Sequence, residues 1–269
     1  MKTEFSFVLF SILTSCLFCS GEQLLRHVSL DDLLTSINQT IDDIVDKPIH
    51  ELAKVYHSGN LCPFQRKVLS KMAHKETIFI EILGGSLTFG ADLNNNTEDR
   101  WSHRFEQIMN SGWYGGYISV VNRGICACSI DCWLQQTNLF SNADLIIVDL
   151  SVNDQFFPME TLPKYYETLV QLLNSLTKQP ALMFHQEFRT AGNKGEDLYK
   201  HRRDCPDQTA YIPSDRGPYY LCRRWWEMQD YVAQALNEYS VPFVSYRDLV
   251  WPDFEHPPSE LPHFWNGLS

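Results

Sequence analysis

Between Glu76 and Tyr246 the chain alternates short apolar runs with amphipathic stretches. The apolar runs are Thr77–Leu83 (TIFIEIL), Gly116–Asn122 (GYISVVN), Ala143–Leu150 (ADLIIVDL), Ala181–Phe188 (ALMFHQEF) and Pro242–Tyr246. All are of strand length and rich in β-branched or aromatic residues. Ala143–Leu150 is almost continuously apolar, which predicts a strand covered on both faces. Between these runs, Trp101–Met109, Tyr165–Leu176 and Arg223–Tyr239 carry apolar residues at helical spacing. Strands separated by helices predict an α/β fold with a parallel, doubly wound sheet. In such a sheet the ligand sits outside the carboxyl ends of the strands.

Two regions depart from this rhythm. Residues 22–75 show helical spacing and no strand signal. Ser29 is placed to cap a run with Leu30, Leu33, Leu34, Ile37 and Ile41 on one face, and further helices are expected after Pro48 and after Pro63. This reads as a helical extension packed on the α/β domain of residues 76–269. Residues 189–221 are polar, with scattered Gly and Pro, and are long for a loop. They read as an insertion or lid. No internal repeat is visible.

The amino end changes how the composition is read. Met1–Gly21 (MKTEFSFVLFSILTSCLFCSG) has a short basic start, an apolar run from Phe5 to Phe18, and small residues at Cys19 and Gly21. That is the pattern of a secretory signal peptide cleaved before Glu22. The run is too short to span a bilayer comfortably, so the mature chain is expected to have no integral membrane span. An uncleaved anchor, or a lipoprotein box at Leu13–Cys16, ranks lower. Secretion places the protein outside the cell or in the secretory lumen. Of eight cysteines, Cys16 and Cys19 leave with the signal, and Cys62, Cys126, Cys128, Cys132, Cys205 and Cys222 remain. In an oxidising compartment these are disulfide candidates, with fifteen pairings open. At least one of the three around residue 128 is expected to be bridged, and Cys205 and Cys222 are placed to close the 189–221 insertion. A zinc site of Cys126, Cys128 and Cys132 with a histidine is the alternative. Asn38 and Asn95 head glycosylation sequons (Asn-Gln-Thr and Asn-Asn-Thr). The formal charge is -11, and the signal removes one acid and one base, so the mature chain keeps it. Such an acidic chain is a poor nucleic-acid binder, which needs clustered Lys and Arg.

Candidate chemistry falls in the turns after the strands. Ser86 follows the first strand in Gly84-Gly85-Ser86-Leu87-Thr88, where glycines allow a tight strand-to-helix turn. Gly124 follows the second in Asn122-Arg123-Gly124, and Asn153 the third in Ser151-Val152-Asn153-Asp154. Each alone is ordinary turn chemistry. Together they converge on one edge of a parallel sheet. His256, with Asp253 three residues before it in Asp-Phe-Glu-His, comes after the last strand and is placed to close that site. Asp154 reads as a structural partner of the Asn153 turn. The other histidines, His185 and His263 included, read as structural or exposed. In Arg223-Arg224-Trp225-Trp226 the tryptophans read as core and the arginines as solvated.

At these residues the chain resembles the SGNH hydrolases, the GDSL-type esterase and lipase family, named for Ser, Gly, Asn and His in four blocks. The blocks match Ser86 in GGSLT, Gly124 in NRGICA, Asn153 in SVND and His256 in DFEH, in the family's order, across roughly residues 77–257. Three positions depart from the pattern: Gly85 stands where the family has Asp, Ala127 where it has a second Gly, and Ser151 where it has the Gly before the Asn block. The resemblance implies a three-layer α/β/α sandwich with a five-stranded, mostly parallel, flavodoxin-like sheet. It implies a Ser86–His256–Asp253 triad and an oxyanion hole of the Ser86 and Gly124 N–H groups with the Asn153 amide. It implies neither metal nor organic cofactor, and an ester of a small molecule, lipid or carbohydrate as substrate. The ordinary α/β-hydrolase is disfavoured, because it wants Gly-x-Ser-x-Gly after a later strand with Asp and His far apart. A secreted serine esterase, such as a carbohydrate O-deacetylase, leads. An acyltransferase to a sugar hydroxyl and a catalytically silent binding module on the same fold are the alternatives.

Overall fold

A computed structural model describes the chain from Tyr56 to Asp248, apart from residues 58, 61, 92, 112–116, 137–141, 155–156, 187–207 and 213–218. Five strands form the expected parallel array: β2 (Ile78–Gly84), β3 (Ile118–Asn122), β4 (Leu145–Asp149), β5 (Ala181–Gln186) and β8 (Phe243–Ser245). A sixth, β1 (Tyr56–His57), joins the edge antiparallel to β8, giving the order β1-β8-β5-β4-β2-β3. β1 corrects the reading of residues 22–75 as free of strands. Two residues are too few to show a period of two. What holds β1 is tertiary: the His57 ring stacks on Phe243 at 4.2 Å, and its Nε2 lies 3.0 Å from Asp248 Oδ2.

The strands alternate their side chains between two helical layers. Leu83, Ile146, Val148, Leu182 and Phe184 share one core with Ile130 and Trp133 of α4 (Ile130–Leu134), Tyr166, Leu169 and Leu173 of α6 (Leu162–Asn174), and Val232 and Leu236 of α7 (Arg223–Glu238). The alternate residues Ile80, Ile82, Leu145, Ile147 and Met183 are buried on the other face. That face is left to α1, built of Cys62–Phe64, Gln65–Leu69 and Ser70–Ala73, and to α3 (Trp101–Ser111), whose Phe64, Val68, Trp101, Phe105 and Met109 are buried. The last helix of the amino-terminal extension, expected after Pro63, is thus part of the sandwich. Buried Asp144 ties it down: Oδ2 accepts from Lys71 Nζ at 2.8 Å and from the Phe79 N–H at 2.9 Å.

The 189–221 insertion holds regular structure where a polar loop was expected. β6 (Gln208–Ile212) and β7 (Tyr219–Cys222) pair as an antiparallel hairpin, and β7 runs directly into α7. The strands are the short segments QTAYI and YYLC within an otherwise polar, Gly- and Pro-containing stretch.

Register aligns the carboxyl ends of the central strands. Ile82 pairs with Asn122, and Gly84 with Asp149. The short helix α5 (Ser151–Asp154) follows β4 and is anchored by its last residue. Asp154 is fully buried, its Oδ1 accepting the Ile130 N–H at 2.8 Å and its Oδ2 the Tyr166 hydroxyl at 2.7 Å. Burial pushes its carboxyl from 3.8 up to about 7, against the opposing pull of those two hydrogen bonds. Between pH 4 and 7 the native chain therefore holds a proton that the unfolded chain has lost, so this group's contribution to stability falls as pH rises through that window. Asp154→Asn keeps an acceptor and removes the titration. Melting curves should show the variant gaining on the wild type between pH 5 and pH 8. A constant difference across that range would contradict this placement of the proton.

Candidate functional site

The turn carrying Ser86 is packed too tightly for side chains on three sides. β2 ends at Gly84, and after Gly85 the chain makes one helical turn, α2 (Ser86–Phe89), closed by Gly90 in the left-handed region at φ +89°. A Cβ on Gly84 would collide with the Thr88 side chain, and one on Gly85 with the Asn153 amide nitrogen. One on Gly124 would strike the Phe89 nitrogen and approach Thr88 C to 2.7 Å. The absent side chains let Gly124 and Asn153 reach the serine turn. The Ser86, Gly124 and Asn153 blocks therefore come together at the carboxyl edge of β2, β3 and β4.

Each block is held by its own hydrogen bonds. Beyond β3 the pairing with β2 continues, Arg123 N–H donating to Ile82 O at 2.8 Å and Ile125 N–H to Gly84 O at 3.0 Å. The Asn122 side chain staples this loop to its neighbours: Nδ2 donates to Thr88 O and to Ser102 Oγ, each at 2.6 Å, and Oδ1 accepts the Gly124 N–H at 2.8 Å. The Gly124 N–H is thus engaged within its own turn. Asn153 Nδ2 spends one of its two hydrogens on Cys128 O at 2.8 Å and lies against Gly85. Ser86 is partly exposed at the start of α2. Leu87, Phe89 and Ile125, next to Ser86 and Gly124 in the chain, present exposed apolar side chains.

Cys128, whose carbonyl holds Asn153, is bridged to Cys132, with Cα atoms 5.5 Å apart. The expected bridge among the three clustered cysteines is present, and it takes two of the thiols that the zinc alternative needs. Cys62 and Cys126, also disulfide candidates, are exposed free thiols. Cys128 and Cys132 stand four residues apart across the start of α4, a separation that brings their Cα atoms within bridging range. Among the described residues no group of three or more His, Cys, Asp or Glu is placed to hold a metal ion.

Two of the positions that depart from the family pattern are described. At Gly85 the Asn153 amide lies where a Cβ would stand. Ala127 replaces a Gly and has φ +59°, the left-handed region that favours glycine. Asn95 is exposed in a turn, its Oδ1 accepting the Thr97 N–H at 3.1 Å. Asp253, His256, Asn38, Cys205, His263 and residues 1–21, read above as a signal peptide, lie outside the described residues, as do the side chains of Cys222 and of Arg223–Trp226. No described helix is long and apolar enough to cross a membrane.

Sequence reasoning missed the polar residues behind the turn. Thr88, fully buried, donates its hydroxyl to Asp149 Oδ2 at 2.6 Å. His185 at the end of β5, read as structural or exposed, is buried with Nδ1 3.3 Å from Asp149 Oδ1. The available signal was a charged residue ending the apolar run of β4.

Neither a protein-family model nor a curated protein matches the sequence. Among solved structures the chain is similar to a two-domain esterase (CEX) active on acetylated mannans, at TM-score 0.52 and 19% identity over 74% of this chain and 45% of that one. It thus spans a little under half the length of that esterase. It is also similar to a carbohydrate acetylesterase family member from Sinorhizobium meliloti (14% identity, 63% of this chain and 83% of that one, TM-score 0.47) and to AlinE4, an SGNH-hydrolase family esterase (15% identity, 70% and 86%, TM-score 0.42). At such identities likeness speaks for the fold, the α/β/α sandwich that resemblance to the SGNH hydrolases implies.

The contact between Gly85 and Asn153 is open to a double-mutant cycle. Gly85→Ala should destabilise by roughly 1–3 kcal/mol, the range for overpacking a close-packed site. In an Asn153→Ala background, where the clashing amide is gone, most of that loss should vanish in urea melts. Additive losses would show that the two residues do not touch.

Proposed function

We propose that this protein is a secreted serine esterase of the SGNH type, hydrolysing carboxylic esters at Ser86. The observation that carries the reading is the packing of Gly124 and Asn153 onto the turn of Ser86, at the edge of the sheet where this fold binds ligands. In this reading His256 takes the proton from Ser86 Oγ as the oxygen attacks the ester carbonyl carbon, and Asp253 holds the imidazole in the productive tautomer. The carbonyl oxygen becomes an oxyanion, accepting from the Ser86 N–H, the second hydrogen of Asn153 Nδ2 and the Gly124 N–H. The last must exchange Asn122 Oδ1 for the oxyanion. As the tetrahedral intermediate collapses, imidazolium returns the proton to the leaving alcohol, and water activated by the same imidazole releases the acid.

The fold likeness to an esterase acting on acetylated mannans favours an acetylated carbohydrate as substrate. Leu87, Phe89 and Ile125, exposed apolar side chains near Ser86 and Gly124 in the chain, are the surface proposed to meet the acyl group. An acyltransferase would use the same groups with a sugar hydroxyl in place of water. A silent binding module would keep the fold without turnover. Asn38 and Asn95 are the proposed glycosylation sites of the secreted chain.

The full-length secreted protein should be assayed on 4-nitrophenyl esters of increasing acyl length and on acetylated sugars. Turnover is expected, with Ser86→Ala at background while still folded. Asn153→Ala should be reduced about 100- to 1000-fold in kcat, the typical cost of losing one oxyanion donor. Ester turnover that survives Ser86→Ala overturns the assignment. Product that forms only when a sugar acceptor is supplied moves it to the acyltransferase.

A further inference from the structure

A polar cluster lies directly behind the serine turn, on the side away from solvent. Asp149 is the last residue of β4, paired with Gly84 across the sheet, and His185 stands at the same level on β5, where Val148 pairs with Phe184. Both point to the α3 side, and both are buried. Asp149 Oδ2 accepts the Thr88 hydroxyl at 2.6 Å. Asp149 Oδ1 lies 3.3 Å from His185 Nδ1, within ion-pair reach, but the atoms are not aligned as a hydrogen bond. Trp101, the first residue of α3, meets the His185 ring edge-on at 6.3 Å.

Such a cluster does not favour stability. Among the described residues Asp149 Oδ1 and both His185 nitrogens lack a hydrogen-bond partner. Each buried polar group without a partner costs its desolvation. An apolar pair of the same shape would hold β4 against β5 better. The cluster has one strong outward connection, and it goes to Thr88. That residue is two positions from Ser86 in a helix of one turn, and its backbone oxygen accepts from Asn122 Nδ2 at 2.6 Å. Thr88 is therefore clamped twice, at its hydroxyl from β4 and at its carbonyl from β3. Gly84 has no side chain to keep it from the strand.

From this we propose that Asp149, backed by His185, is a positioning residue for the nucleophile, acting on Ser86 through the Thr88 hydroxyl. The proposal rests on the esterase reading above. Asp149 touches neither substrate nor reacting atoms. It fixes the rotation of α2 and so the place from which Ser86 Oγ attacks. A misplacement on the order of 1 Å suffices to cost about 100-fold in rate.

The test is a kcat and KM comparison on 4-nitrophenyl acetate with the full-length protein, each rate normalised to the folded fraction. Thr88→Val keeps the shape and removes the hydroxyl. It should lower kcat about 10- to 100-fold while KM stays within about threefold, the signature of lost transition-state positioning. Thr88→Ser, which restores the hydroxyl, should recover kcat to within about threefold of wild type. Asp149→Leu should match Thr88→Val, and the double variant should be no worse than either, because the two act as one unit. Should Thr88→Val or Asp149→Leu fail to fold, Asp149→Asn keeps a weaker, neutral acceptor and should lose about 3- to 10-fold in kcat. Wild-type kcat in folded Thr88→Val or in Asp149→Asn, or additive losses in the double variant, overturns the proposal while leaving the esterase intact. Absence of ester turnover in the wild type itself overturns both.

Discussion

The close approach of three chain segments at the end of β2 is the constraint on which the site depends. Ser86 begins a one-turn helix whose backbone is pressed by Gly124 from one side and by the Asn153 amide from another. Neither approach survives a side chain at Gly85 or Gly124, and Gly84 must be bare for Thr88 to lie against the strand. The parallel sheet sets the stage by bringing Gly84 level with Asp149 and Ile82 level with Asn122. Glycine then lets the following turns close on one another, with the Asn153 amide against Gly85 and Gly124 against Thr88 and Phe89.

Around that contact polar residues do the fixing that apolar packing cannot. Asn122 uses both ends of its amide to tie the Gly124 loop to Thr88 and to Ser102 of α3. Asp154 joins α5 to α4 and α6, and so sets where Asn153 points. The Cys128–Cys132 bridge stiffens the segment whose carbonyl holds the Asn153 amide. Hydrogen bonds are directional and short-ranged, so each sets a position rather than merely adding burial. That Asp154 keeps a carboxyl forced up to about 7 by burial, and that His185 stays unsatisfied beside Asp149, marks this edge as a region where stability gives way to geometry.

Much of this was legible in the chain itself. The parallel strands show as apolar runs, most continuously in β4, β5 and β8, which are buried along their whole length. The turns of Ser86, Gly124 and Asn153 show because strand ends in a parallel sheet share one edge. What escaped rests on contacts that neither hydrophobic period nor motif carries. β1 is two residues held by His57 on Phe243 and Asp248, which leaves no periodic trace. The β6–β7 hairpin pairs two short segments, QTAYI and YYLC, set within a polar stretch. Which two of the three clustered cysteines pair is decided where Cys128 and Cys132 flank the start of α4 with Cα atoms 5.5 Å apart, while Cys62 and Cys126 stay free. Thr88 was visible only as a letter in a motif, and its role appears once Asp149 stands 2.6 Å from its hydroxyl.

The central claim is that the packed turn presents Ser86 as an activated nucleophile. It is tested most directly by exposing the folded, full-length protein to a fluorophosphonate ester and locating the adduct by peptide mass spectrometry. The account expects one covalent phosphonyl group, on the peptide containing Ser86, and none on the folded Ser86→Ala protein. A folded wild-type protein that stays unlabelled at Ser86, or labelling that persists unchanged in Ser86→Ala, would contradict it.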